Sequence, residues 1–223
     1  PAVSAPSTLT ASAVLPGDSL LPGAGGSGCL RLVLPSAQPF QFQPGLKAMP
    51  LPPGDFLASK RLPVSRTSFD AQWSRVSHGG VSRSLAGALA RAVPASGGAS
   101  RIAAVNSWAN AHVRYVEDRV LYGKADYWAS AQTTLRRRAG DCEDIAIVKM
   151  QLLSALGVAR SDMYLTIARD LARNADHALL VVKQDGKYWL LDNATDRLLD
   201  ASQSYDYRPI LSYSAAGKWM HGY

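Results

Sequence analysis

Cysteine is nearly absent from this chain: Cys29 and Cys142 are the two present in 223 residues. That excludes a fold stapled by several disulfides and any metal centre built from clustered thiolates. No stretch approaches the ~20 consecutive apolar residues of a membrane-spanning helix, so the chain is not expected to span a membrane. Charged residues make up 18% of the sequence, below the ~25% of an average globular protein. The shortage lies mostly at the start. Asp18, Arg31, Lys47, Asp55 and Lys60 are the only charged residues in the first sixty, which hold ten of the thirteen prolines. Residues 1–60 therefore read as a Pro/Gly/Ser-rich lead, either disordered or wrapped over the domain through Phe40, Phe42 and Leu46. Residues 61–223 read as the folded domain. The first residue is proline, not methionine, which fits a leader segment lying upstream.

Net charge is +7, but aromatic and basic residues do not interleave, so no nucleic-acid partner is expected. The densest basic run, Arg136 to Arg138, falls at the end of a predicted helix, where cations complement the helix dipole. A disulfide between Cys29 and Cys142 would tie a core helix to a Gly/Ser-rich segment, and the two are expected to stay separate.

Periodicity predicts helices over Leu85–Val93, Ile102 to about Val116, Asp126–Arg138 and from Cys142 to the stop at Gly157. In the last of these, Ile145 to Leu156 are apolar around most of the circumference, the mark of a buried helix. Strands follow over Met163–Ala168, His177–Gln184 and Lys187–Asp192, with a fourth at Ile210–Tyr213. Asp185-Gly186 is a two-residue hairpin turn. Helices first and a mainly antiparallel sheet afterwards give the α+β class.

The stretch Gly140-Asp141-Cys142-Glu143-Asp144 carries the most chemistry. A thiol at a helix N-terminus meets partial positive charge that favours the thiolate. The hairpin turn then fixes a register. Gln184 pairs with Lys187, and Leu179 faces Asp192. His177, two residues from Leu179, shares a sheet face with Asp192, within reach of an imidazole–carboxylate bond. Cys142, His177 and Asp192 thus form a candidate catalytic triad: nucleophile, proton acceptor and orienting carboxylate. That the Cys142 helix packs on the same sheet face does not follow from the sequence. Asp141, Glu143 and Asp144 oppose a thiolate unless neutralised. They serve as helix caps and dipole complements, or as oxygen ligands to a hard cation such as calcium.

Asp126-Tyr127-Trp128, the Gly140–Asp144 motif, Lys149, Leu156-Gly157-Val158, His177-Ala178-Leu179-Leu180 and Leu191-Asp192-Asn193 resemble the bacterial transglutaminase-like cysteine proteases. Within them, the sequence is similar to the LapG-type periplasmic proteases that release large surface adhesins. The resemblance runs from about Ser68 to the C-terminus. It implies a papain-like, transglutaminase-like core and the Cys142–His177–Asp192 triad. It also implies calcium dependence, with Asp141, Glu143 and Asp144 as ligands and no organic cofactor. The substrate it implies is a biofilm adhesin cut near its N-terminus at a di-alanine site. The partner it implies is the periplasmic domain of an inner-membrane cyclic di-GMP receptor. Trp128 either shapes the substrate groove and oxyanion site or is a core tryptophan. Two other readings share these residues: a transglutaminase-type acyl transferase, and a catalytically silent binding protein of the same fold.

Overall fold

The computed structural model describes residues 56–94 and 97–223. Cys29, Phe40, Phe42 and Leu46 lie outside them. The described chain runs β1 (Lys60–Pro63), α1 (Asp70–Val76), α2 (Arg83–Ala92), α3 (Gly98–His112), β2 (Arg114–Tyr115), α4 (Asp118–Leu121), α5 (Ala131–Arg137), β3 (Ala139–Gly140) and α6 (Cys142–Ala155). After a 3-10 turn come β4 (Met163–Asp170), β5 (Ala175–Gln184), β6 (Lys187–Asp192), β7 (Thr195–Asp200), β8 (Tyr207–Ser214) and β9 (Gly217–Gly222). A seven-stranded sheet, ordered β1-β9-β8-β4-β5-β6-β7, is antiparallel at every pairing. The α+β expectation holds.

Two apolar layers sandwich this sheet. On the inner face α6 is buried almost throughout, from Cys142 to Leu153. Its side chains pack with Ala178, Leu180, Val182 and Leu191 of the sheet and with Ile102, Val105 and Ala109 of α3. On the outer face Leu179, Val181, Leu190, Tyr164 and Tyr207 cluster with Phe56 and Leu57. Alternation along β5 sorts its residues between the two.

Residues 56–60, counted above with the lead, belong to the packed domain. Phe56 and Leu57 are buried, and the Leu57 N–H donates to the Ala201 carbonyl at 2.6 Å. Strand β1 then pairs with β9 at the sheet edge. Above it the Arg61 guanidinium lies 4.4 Å from the Tyr164 ring centroid and 5.1 Å from that of Trp219, within cation–π range.

Helix α5 begins five residues later than periodicity suggests. The Ser130 side chain accepts from the Thr133 N–H and caps the helix at Ala131. The residues before it are irregular, with Ser130 extended, and the Ala129 N–H donates to Asp144 Oδ1 at 2.7 Å instead of to a helical carbonyl. The short parallel ladder of β2 with β3 is invisible to periodicity. It lays the chain entering α4 beside the chain entering α6, with the Val116 N–H donating to the Gly140 carbonyl at 2.9 Å.

If residues 56–63 are part of the domain, Leu57→Ala should lower unfolding free energy by about 2–5 kcal/mol, the usual range for a large core side chain. Urea denaturation measures it. A loss under about 0.5 kcal/mol would detach this segment from the core.

Candidate active site

The hairpin register is the one the turn dictates, from Gln184 opposite Lys187 to Leu180 opposite Leu191. Beyond that pair β6 bends away into its turn. His177 and Asp192 meet on one face, as expected, with Nε2 2.9 Å from Oδ1. The face is the outer one, shared with Leu179 and Val181, whereas α6 packs against the inner one. The helix and the His177–Asp192 pair therefore approach from opposite sides of the sheet. They meet where β5 has lost its neighbour: the Ala178 N–H, freed from the ladder, donates to Cys142 Sγ at 3.2 Å. That contact joins thiol helix and histidine strand.

Asp192 is nearly saturated with donors. Oδ1 also accepts from the Ala194 N–H at 2.9 Å, and Oδ2 accepts from the Tyr207 hydroxyl at 2.6 Å. Burial opposes its ionisation, but the His177 bond and charge, with these donors, hold its carboxyl well below the usual range. The turn carrying it is pinned from α3, whose Asn110 amide donates to the Asp192 and Thr195 carbonyls. Lys149 is buried on α6. Desolvation drives its pKa down to about 7 against the attraction of Asp192 and Asp196. Next to His177 an open cleft of about 210 Å³ is lined by Tyr115, Asp170, Arg173, Ala175 and Ala194, among others.

Cys142 is disulfide-bonded in this structure, contrary to the expectation of separate cysteines. The sequence's other cysteine, Cys29, lies outside the described residues. An oxidised sulfur can neither give up a proton nor attack a carbonyl, so the chemistry below belongs to the reduced thiol.

Trp128 is placed in the core, not at a surface a substrate reaches. It is fully buried, stacked on Phe69 at 5.4 Å and edge-on to Tyr213 at 6.0 Å.

The carboxylates beside the sulfur converge differently from the linear motif. Asp118, Asp141 and Glu143 each bring an oxygen within 4.8 Å of the others. Asp118 comes from α4, carried in by the β2–β3 ladder, and no local pattern signals it. Asp144 is not one of the three; its Oδ1 holds the Ala129 N–H instead. Asp141 occupies the cap position of α6 but makes no side-chain cap bond, since its carboxylate turns into the cluster. Gly140 is required by this crowding, because a Cβ there would sit 2.6 Å from the Asp144 Cβ and 2.9 Å from Thr134 Cγ2. Glu143 bridges the two sites, with Oε2 lying 3.3 Å from Cys142 Sγ.

One buried oxygen of each of Asp118, Asp141 and Glu143 has no hydrogen-bond partner among the described residues. Desolvation, then mutual repulsion, pushes Asp141 up to about 9 and Glu143 well above the carboxylate range. Burial likewise lifts Asp118 to about 6 and Asp144 to about 7. Orphaned oxygens that resist ionisation together fit a divalent cation, which satisfies the lone pairs and cancels the charge.

Fold and site together define a thiol-dependent enzyme of the papain-like, transglutaminase-like type. The pattern of the bacterial transglutaminase-like cysteine proteinases matches residues 88–221. Legionella pneumophila LapG is 30% identical and superposes with a TM-score of 0.53, covering 61% of this chain and 76% of its own. Its calcium-bound form superposes at 0.54 with the same identity and coverage. A comparison with curated proteins finds no match. The chain belongs to the bacterial transglutaminase-like cysteine proteinase family and is a LapG-type protease.

The cluster sets a pH dependence. These carboxyls bind protons more tightly folded than unfolded, where their pKa is near 4. Without a cation their contribution to stability is therefore fully present below about pH 4 and is lost as pH rises through about 9. Melting temperature in chelator should fall across that window, and millimolar calcium should flatten the slope. Identical slopes with and without the metal would mean the cluster holds none.

Proposed function

We propose that this protein is a calcium-dependent cysteine endopeptidase working through Cys142, His177 and Asp192. The observation that carries the reading is the 3.2 Å contact between the Ala178 N–H and Cys142 Sγ. It places the sulfur at the backbone of the strand whose previous residue is the Asp192-bonded histidine. Asp192 bonds Nε2, and in this reading Nδ1 takes the proton of the reduced thiol. The thiolate attacks a peptide carbonyl, and the Cys142 N–H at the start of α6 supports the developing oxyanion. The imidazolium protonates the departing amine, and water then hydrolyses the thioester through the same imidazole. Asp192 fixes the ring's tautomer and offsets its charge.

Asp118, Asp141 and Glu143 would hold the calcium ion, which supplies counter-charge when bound. That replaces the ligand set read from the motif alone, with Asp118 taking the place of Asp144. The calcium-bound form of the Legionella protein supports the choice of metal. The family further supports a large surface adhesin as substrate, cut near its N-terminus at a di-alanine site to control biofilm attachment. By the same reasoning the enzyme works in the periplasm, held in check by the periplasmic domain of a cyclic di-GMP receptor. No helix among the described residues is long and apolar enough to cross a membrane.

With reductant and calcium, the protein should cut an N-terminal adhesin fragment bearing paired alanines, and Cys142→Ala should abolish cleavage while melting normally. Retained cutting by that variant overturns the nucleophile assignment, and an isopeptide-linked product would convert the reading to acyl transfer. Asp118→Asn should raise the calcium concentration giving half-maximal activity at least tenfold, read by titration from a chelated start. An unchanged titration removes Asp118 from the site.

A further inference from the structure

Tyr207 opens β8, two strands away from β5 across the sheet. Its ring nevertheless reaches the His177–Asp192 pair. It stacks on the imidazole at 5.6 Å between centroids with planes 24° apart. Its hydroxyl donates to Asp192 Oδ2 at 2.6 Å. The backbone before it is unusual: Tyr205 and Asp206, neither a glycine, both adopt left-handed φ values of 50° and 63°, a region side chains seldom occupy. Two backbone bonds secure that turn, Tyr207 N–H to the Ser204 carbonyl and Leu171 N–H to the Asp206 carbonyl.

A buried tyrosine must place its hydroxyl somewhere, so a partner alone says little. The choice of partner is what matters. Oδ1 of Asp192 is committed to His177 and the Ala194 N–H. The hydroxyl takes the one remaining oxygen and so stops the carboxylate from rotating about its own axis. The ring meanwhile covers one face of the imidazole and limits its swing.

We propose that Tyr207 is a positioning residue, one that acts on the thiol through Asp192. The proposal rests on the triad reading above and adds a fourth member to it. The hydroxyl locks the carboxylate, and the carboxylate locks the imidazole in one orientation before substrate arrives.

The test is a double-mutant cycle read on the thiol itself. The rate at which iodoacetamide alkylates reduced Cys142 at about pH 6 is followed by mass spectrometry of the peptide carrying it. At that pH an unactivated thiol is almost wholly protonated. Tyr207→Phe keeps the ring and removes the hydroxyl, and its melting temperature should stay within a few degrees of wild type. It should slow alkylation about tenfold or more, the scale of one hydrogen bond to a charged group. Asp192→Ala should slow it further. The double variant should match Asp192→Ala within about twofold, because the hydroxyl has nothing left to hold. A residue that only packs would instead slow both backgrounds equally, and that result overturns the proposal, as does a Tyr207→Phe rate within about twofold of wild type. If Asp192→Ala itself reacts like wild type, the triad reading fails first. That outcome is distinct from a Tyr207 that does not couple.

Discussion

One backbone N–H joins the helix of Cys142 to the strand of His177, and the proposed triad depends on it. Ala178 belongs to a strand that still has a partner on one side and has lost the other, and its spare donor goes to a sulfur. Without the early departure of β6, that N–H would be consumed by the ladder and Cys142 would have no place at the strand. The departure in turn puts Asp192 at the end of β6, where it can close on His177 from the outer face. Helix, strand and turn each bring one member of the proposed triad to the same place because one pairing ends early.

The second organising fact is electrostatic. Four buried acids, Asp118, Asp141, Glu143 and Asp144, surround the entry to α6, and one of them touches the sulfur. Burial and mutual repulsion make Asp141 and Glu143 in particular resist ionisation. A divalent cation held by Asp118, Asp141 and Glu143, as proposed above, would satisfy their orphaned oxygens and offset their charge. The short β2–β3 ladder matters for this reason. It is two residues long on each strand, yet it brings Asp118 to acids more than twenty residues later in the chain.

Local pattern made much of this legible. The hairpin turn at Asp185-Gly186 alone fixed the pairing that puts His177 beside Asp192, because alternation propagates register without error over a few residues. The unbroken apolar run of α6 announced its burial. What stayed hidden was set by distance in the chain. Asp118 and Tyr207 reach the site through a two-residue ladder and across two strands, neither of which leaves a periodic trace. The side of the sheet on which α6 lies was also open, since an all-round apolar helix can pack on either face. Trp128 sits in a motif shared with proteases, but its indole fills the core. Residues 56–60 looked like more of the proline-rich lead, because composition cannot show that Phe56 and Leu57 find a pocket.

The opposed placement of α6 and the His177–Asp192 pair leaves the backbone of β5 between the sulfur and the imidazole–carboxylate pair. In the reading proposed above the two would meet at the edge of β5, so the seat of α6 on Ala178, Leu180 and Leu191 decides how far the sulfur stands from that edge.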